Sequence, residues 1–336
     1  MNTNTLFDIA GIGNAIVDVV VTVAPEFLAE HGMPLGGMVL VDDALAGRLL
    51  NAAGASGRQS SGGSAANTIA GIGALGGRCA FIGKVREDPM GHVFRKDMHA
   101  LGVEFTTSTL GAEGPASARC LVMVTPDAQR TMATFLGASV LLTPADVDAA
   151  VISGAAITYL EGYLFDPEHA KAAFRRAVEL AHAAERRVAL TLSDPFCVER
   201  HRDDFLALVE MGVDILFANE VEIASLLGTS DLNEIRARLS RHCAITVVTR
   251  SERGSVILTS DAMIDVVPAR VGTVVDTTGA GDLYASGFLF GVIKGYSLAR
   301  CGALASLCAA EAISHYGARP QTSLLALAAK HGLASP

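Results

Sequence analysis

The sequence predicts an α/β protein: a three-layer, doubly wound, mostly parallel sheet with a small antiparallel β lid. Three observations lead there. In the second half, short buried strand-like runs alternate with amphipathic helix-like runs, the pattern of parallel strands covered on both faces. In the first 140 residues, extra strand-like runs follow one another with no helix between them, which fits a lid inserted at about residues 16–43 and 115–137. No Pro/Ser linker, composition shift or internal repeat divides the 336 residues, so a single domain spanning 1–336 is expected.

Along the chain, residues 7–13 read as a strand ending in a Gly turn, the β-branched run 17–23 as a second strand and 38–41 as a third. Residues 65–75 are small, apolar and helical up to Gly76-Gly77, a helix stop. A strand at 79–85 precedes a helix at 90–101 that ends at Gly102. Residues 118–124 and 131–135 form a hairpin around Thr125-Pro126-Asp127-Ala128. Strands follow at 156–160, 187–192, 215–218, 245–249 and 255–258, with amphipathic helices at 169–184, 198–211, 220–227 and 232–242.

Composition narrows the function. Half the residues are hydrophobic and 18% are charged, a well-buried globular chain. The net charge is −9 with no Lys/Arg-rich run, which argues against a nucleic-acid or anionic-membrane surface. Six cysteines lie in apolar contexts with no Cys-x-x-Cys pair, so buried free thiols in a reducing cytoplasm are expected and structural zinc is not. Met1 to Thr5 is short and uncharged and leads straight into a strand, unlike a signal peptide, and no apolar run approaches a membrane span.

The most informative segment is Asp276-Thr277-Thr278-Gly279-Ala280-Gly281-Asp282, which opens the apolar run 283–293. A turn of small residues brings backbone N–H groups close to a ligand, and a helix starting there adds unpaired N–H groups and the positive end of its dipole. The turn is therefore an anion site. A carboxylate inside it repels the anion unless Asp282 is a base that must sit beside a transferring phosphate. The bland alternative is a Gly-rich turn with a capping Asp.

Other motifs weigh less. Gly71-Ile72-Gly73-Ala74-Leu75-Gly76 matches a dinucleotide pattern but ends a helix instead of joining a strand to a helix start, so it reads as helix packing and a C-cap. Gly11-Ile12-Gly13 is followed by a second strand, which leaves a Rossmann oxidoreductase weakly supported, and there is no P-loop. His201-Arg202-Asp203 lacks the Asn of a kinase catalytic loop. Two segments gain meaning beside the anion turn. Ser61-Gly62-Gly63-Ser64-Ala65-Ala66-Asn67 puts two glycines before a helix with a bifunctional amide in its first turns, and Asn14 to Asp18 puts a carboxylate in an apolar strand. A carboxylate accepts two hydrogen bonds well, which suits a vicinal diol. Together these segments describe a polyol site beside a phosphate site.

On these residues the chain resembles the ribokinase-like, or PfkB-type, carbohydrate and nucleoside kinases. The likeness runs from Gly62-Gly63-x-x-x-Asn67 through Gly83-Lys84-Val85 with Asp88 and Gly91, Asn219-Glu220-x-Glu222, and Thr249 with Gly254, to the 276–282 turn and Gly317-Ala318-Arg319-Pro320. It implies an ATP-dependent phosphotransferase. Asp282 would take the acceptor hydroxyl proton, and the N–H groups of Gly279, Ala280 and Gly281 would form the anion hole. Asn14, Asp18, Gly62, Gly63 and Asn67 would hold the acceptor, and Thr249 and Gly254 would line the nucleotide. Asn219 and Glu222 would order Mg2+ through water. Asp276 and Thr278, with the Gly317 loop, match a monovalent-cation site for an ion such as K+, although Gln321 stands where a small hydroxyl residue is common. Ser251 and Arg86 stand where the family often has Gly.

The acceptor is left between two classes. Arg130 in the lid hairpin is similar to the adenosine-kinase-like branch, where it contacts the transferring phosphate. Tyr163 and Phe165 follow a strand, where a nucleobase could stack; the alternative is that both are core residues. Adenosine or a related nucleoside is the first expectation, and a free sugar such as ribose or fructose the second. A catalytically silent binding protein of the same fold would have lost Asp282, which is present. The expected partner is thus a small molecule, with no nucleic acid and no membrane, and the chain is expected to be a monomer or homodimer.

Overall fold

The structure, a computed structural model, describes residues 5–54, 57–127 and 129–334. The expectations for residues 1–4 and for the hairpin tip at Ala128 lie outside them. Fourteen strands are described: β1 Phe7–Ile12, β2 Ile16–Thr22, β3 Met38–Leu40, β4 Arg58–Gly62, β5 Cys79–Ile82, β6 Val103–Glu104, β7 Ala118–Val124, β8 Arg130–Phe135, β9 Ala155–Glu161, β10 Arg187–Thr191, β11 Ile215–Asn219, β12 Ile245–Thr249, β13 Ser255–Leu258 and β14 Met263–Val266.

Nine of them form one sheet in the order β14-β13-β12-β11-β10-β9-β1-β5-β6. From β12 to β6 every pair is parallel, and β13 and β14 close the far edge antiparallel. Successive side chains of a strand point to opposite faces. Ile9, Phe81, Ala189 and Val247 enter the core under one helical layer, while Ala10, Ala80, Leu190 and Val248 enter the core under the other. The three layers follow from this two-sided burial. Among the described residues no helix is long and apolar enough to cross a membrane, and all six cysteines are buried and unpaired.

The remaining strands form the lid, in the order β3-β8-β7-β2-β4. It is antiparallel along β2–β4 and β7–β8 and parallel along β2–β7 and β3–β8. Val17, Val19, Leu121, Met123 and Ala133 bury one face in the core. The other face looks into a cavity.

One local difference from the sequence reading concerns a helix. The stretch 198–211 is two helices, Pro195–Arg200 and Arg202–Gly212, separated at His201, whose backbone is not helical. The glycines at 71–76 do pack and cap a helix, Ser64–Ala74: a Cβ on Gly71 would stand 2.4 Å from the Ser286 hydroxyl on the helix Ala280–Ile293, and Gly76 follows the C-cap with φ 89°.

Candidate active site

A cavity of about 1010 Å3 opens at the carboxyl ends of the parallel strands, roofed by the lid. Ligands of open α/β sheets bind at such strand ends. Asn14 follows β1, Glu161 ends β9, Asn219 ends β11 and Thr249 ends β12, and all four line it. So do Asp18, Gly63, Asn67, Arg130, Tyr163, Glu222, Thr278, Gly279, Ala280, Gly281 and Asp282. Gly62, Gly254 and Asp276 do not line it.

Asp282 sits in the first turn of the helix Ala280–Ile293. Ser64 Oγ donates to its Oδ1 at 2.6 Å and Asn67 Nδ2 to its Oδ2 at 2.9 Å. Burial pushes its carboxyl above the usual range, opposed by these two donors and by Arg319. Gly279 enters the helix with φ 78°, and a Cβ there would collide with Ala318 at 2.5 Å. Among the described residues the N–H groups of Gly279, Gly281 and Asp282 have no hydrogen-bond partner, whereas Ala280 N–H turns back to Thr277 O at 3.2 Å. The open donors of the anion turn are therefore Gly279, Gly281 and Asp282, and the Ala280 donor expected from sequence is already engaged.

Asp18 projects from β2 into the cavity with no hydrogen-bond donor among the described residues. Burial raises its carboxyl to about 6, with Arg319 and then Arg130 pulling it down and Asp282 pushing it up. Gly62 matters here through close approach, since a Cβ on it would lie 2.3 Å from Asp18 Oδ2. Asn67 Oδ1 is likewise buried without a partner. The site thus holds two unfilled acceptors beside Asp282.

Glu161 was not singled out from sequence. Its Oε1 accepts from Asn14 N at 3.3 Å and Nδ2 at 2.8 Å, and its Oε2 from Ala65 N at 2.7 Å. Burial raises it to about 7, despite those three bonds. It locks the end of β1 to the start of the helix Ser64–Ala74. Arg319, another residue the sequence reading did not assign a role, donates to Ser61 and Ala66.

Asn219 and Glu222 form a capping box on the helix Glu220–Leu227. Asn219 Oδ1 accepts from Val221 and Glu222 N–H, while Glu222 accepts from Asn219 N at 2.9 Å and Nδ2 at 2.6 Å. Each Glu222 oxygen keeps a lone pair. Burial first, then the charge of Asp194, lifts Glu222 to about 7. Two carboxylates facing a cavity, one of them raised in this way, form a donor set that suits a hydrated divalent cation. Gly254 lies in the turn between β12 and β13, its N–H donating to Ser251 O at 3.0 Å.

At Asp276 and Thr278, where the sequence reading expects a monovalent cation, the side chains meet a guanidinium. Arg130 is ion-paired to Asp276 Oδ2, donates to Thr278 Oγ1 at 3.2 Å and lies over the Tyr316 ring. Asp276 also accepts from Thr278 N and Oγ1 and from Gly317 N. The two aromatics part company. Phe165 stacks on Phe205 at 4.0 Å in the core, whereas Tyr163 is 42% exposed and reaches the cavity.

The lid's inner face is two rows of residues set by register. Ser60, Asp18, Cys120, Thr134 and Leu40 lie side by side across β4, β2, β7, β8 and β3. Two residues along, Val20, Val122, Met132 and Met38 form an apolar row. Met38 and Leu40 are 51% and 56% exposed.

Comparison with known proteins agrees with this geometry. A probable sugar kinase from Rhizobium etli superposes with a TM-score of 0.89 at 45% identity, covering 98% of this chain and 99% of the other. An adenosine kinase from Sinorhizobium meliloti superposes with a TM-score of 0.87, also at 45% identity, covering 97% and 99%. A nucleoside kinase from Methanocaldococcus jannaschii is 36% identical over 113 residues, only 33% of this chain and 35% of that protein. Residues 40–324 match the profile of the pfkB family carbohydrate kinases. The chain belongs to the PfkB family of carbohydrate kinases and is a phosphotransferase with an alcohol group as acceptor.

Proposed function

We propose that this kinase transfers the γ-phosphoryl group of ATP to the hydroxymethyl group of a nucleoside, adenosine foremost, with Asp282 as general base. The observation that carries the acceptor class is the pairing of the two lid rows. The unfilled Asp18 carboxylate offers two acceptor oxygens to a diol, and the neighbouring row Val20-Val122-Met132-Met38 offers an apolar wall to a flat ring. A free sugar uses the first row and leaves the second wet.

In the transfer, the acceptor oxygen forms its bond to Pγ as the bond between Pγ and the β-phosphate bridging oxygen breaks, ADP leaves, and the acceptor proton passes to Asp282. The elevated carboxyl of Asp282 suits a base held beside the anion turn. The open N–H groups of Gly279, Gly281 and Asp282 receive charge on the transferring group. Arg130 adds a cation from the lid. Glu222 and Asn219, with Asp194 nearby, would hold Mg2+ through water, and the ion would neutralise triphosphate charge.

The likeness to the Rhizobium etli probable sugar kinase supports a second reading, a free sugar as acceptor. Side-by-side kinetics with adenosine, other nucleosides, ribose and fructose decide between them. The nucleoside reading expects kcat/KM to be highest for adenosine. A tenfold or greater advantage for ribose or a hexose overturns it and leaves the sugar kinase standing.

A further inference from the structure

Arg319 leaves the loop after the helix Leu298–Ala312 and crosses to the acceptor side of the cavity. Its Nε and Nη2 donate to Ser61 O at 3.1 and 2.8 Å, Nη2 also to Ser61 Oγ at 2.7 Å, and Nη1 to Ala66 O at 2.9 Å. Those two carbonyls bracket the Gly62-Gly63 turn. Within the bracket Gly62 makes room for the Asp18 carboxylate and Ser64 donates to Asp282; just past it, Asn67 does the same.

The loop that carries Arg319 is itself pinned on two sides. Gly317 N donates to Asp276 Oδ2 at 2.9 Å, and Gln321 N and Thr322 N donate to Glu311 Oε1, each at 2.9 Å. Ala318 packs against Gly279. One short loop therefore sets the anion turn and the acceptor turn relative to each other.

Charge adds a second role. Arg319 lines the same cavity wall as Asp18 and Asp282 without a direct ion pair to either, and among the described residues its charge is the one cation acting on Asp282 and acts on Asp18 ahead of Arg130. Facing Arg319 are Asp97 on the helix Pro89–Ala100, Asp18 on the lid and Asp282 on the anion helix, while Arg130 faces Asp18 and Glu161 faces Asp282. Asp97 also accepts from Ser61 N at 2.8 Å and from its hydroxyl. Burial presses the guanidinium pKa down, and Asp97, Asp18 and Asp282 press it back up. Arginine keeps its charge in such settings.

We propose that Arg319 is a positioning residue for the transfer: its planar fork holds the two carbonyls around the Gly62-Gly63 turn, and its charge is the counter-ion to Asp18 and Asp282. The second role rests on the reading of Asp282 as base. Lysine keeps the charge but cannot bridge two carbonyls with a rigid fork, whereas glutamine loses the charge. The two substitutions therefore separate the roles.

The test is the pH profile of kcat/KM for wild type, Arg319→Gln and Arg319→Lys, with whichever nucleoside or sugar the wild type phosphorylates best and Asp282→Asn as control. Removing the counter-ion should move the acid limb of Arg319→Gln up by about one pH unit, so that its deficit is about tenfold on the acid side of the wild-type limb and vanishes on the alkaline side of its own limb. Arg319→Lys should keep the wild-type limb and raise the acceptor KM by about tenfold, with the ATP KM little changed. A deficit of Arg319→Gln that is the same at every pH overturns the counter-ion role, and an unchanged acceptor KM in Arg319→Lys overturns the fork role. If Arg319→Gln does not fold, the Arg319→Lys limb decides the charge role, because a limb displaced as far as one unit with the charge kept contradicts it. Full turnover in Asp282→Asn overturns the base assignment separately and leaves the acceptor-KM arm intact.

Discussion

The carboxylate of Asp18 occupies the space that a side chain at position 62 would need: a Cβ on Gly62 would stand 2.3 Å from Oδ2 and 2.4 Å from Cγ. Real Cβ contacts are never so short, so Gly62→Ala must push Asp18 out of place. Gly62→Ala and Asp18→Ala should each raise the acceptor KM at least tenfold while changing the ATP KM little. Because both act through one carboxylate, the double variant should be no worse than the poorer single one. An additive double variant, or a selective effect on ATP, contradicts the relationship.

Asp282 combines an elevated carboxyl with two donors that hold its orientation. Asp282→Asn should keep the fold and the affinity for both substrates and lower kcat by roughly 10²–10⁴-fold. In the wild type, activity should fall as pH drops through a value above the ordinary carboxylate range, because the base works only when deprotonated. A kcat of Asp282→Asn within a few-fold of wild type removes Asp282 from this role.

The anion turn, the Gly62-Gly63 turn and Asp18 were legible in the sequence because each announces itself locally, as small residues at a helix start or as a charge in an apolar strand. The alternating strands and helices of the body were legible for the same reason. Strand β4 was not, because its residues are Arg-Gln-Ser-Ser-Gly and carry no β pattern; pairing with β2 makes it a strand. Arg319 was legible only as part of a motif. Its partners are backbone carbonyls 253 and 258 residues earlier, and no side-chain pattern records such a contact. Glu161 was hidden in the same way, since two of its three donors are main-chain N–H groups. The role of Phe165 was ambiguous at the sequence level, because an aromatic after a strand serves a core or a cavity equally well.

Arg130 bears on the cation expected at Asp276 and Thr278. Its guanidinium already neutralises Asp276 and shares Thr278 Oγ1. Added K+ at constant ionic strength should therefore stimulate the wild type little. Arg130→Ala should lower kcat more than it raises the acceptor KM, since the cation is lost from the phosphate side, and should gain a K+ response as Asp276 loses its partner. Activities in tetramethylammonium and potassium buffers give the comparison. Equal stimulation of both proteins would mean that Asp276 is open to the ion despite Arg130.

The Asp18 carboxyl also predicts how stability depends on pH. Burial, its largest influence, raises it from 3.8 to about 6, and the charges of Arg319 and Arg130 recover only part of that. For a group raised in the folded state, the stabilising contribution is complete below the unfolded value and is lost as pH rises through the folded one. At pH 7.5 the ligand-free protein therefore holds a carboxylate that would be better solvated unfolded. Asp18→Asn removes that charge while keeping the shape. It should raise Tm at pH 7.5 by a few degrees, an effect of roughly 1–3 kcal/mol, and the advantage should shrink to roughly a third by pH 4.5, where the folded carboxyl is protonated and the unfolded one still ionised, and close below 3.8. Thermal melts of both proteins from pH 4.5 to 8 test this. A saturating acceptor should reverse the order at pH 7.5, because its hydroxyls satisfy the carboxylate and cannot do so as well for an amide. If the gap between the two proteins stays constant across the range, the Asp18 carboxylate carries no buried cost, and its place as the unfilled acceptor of the site has to be given up.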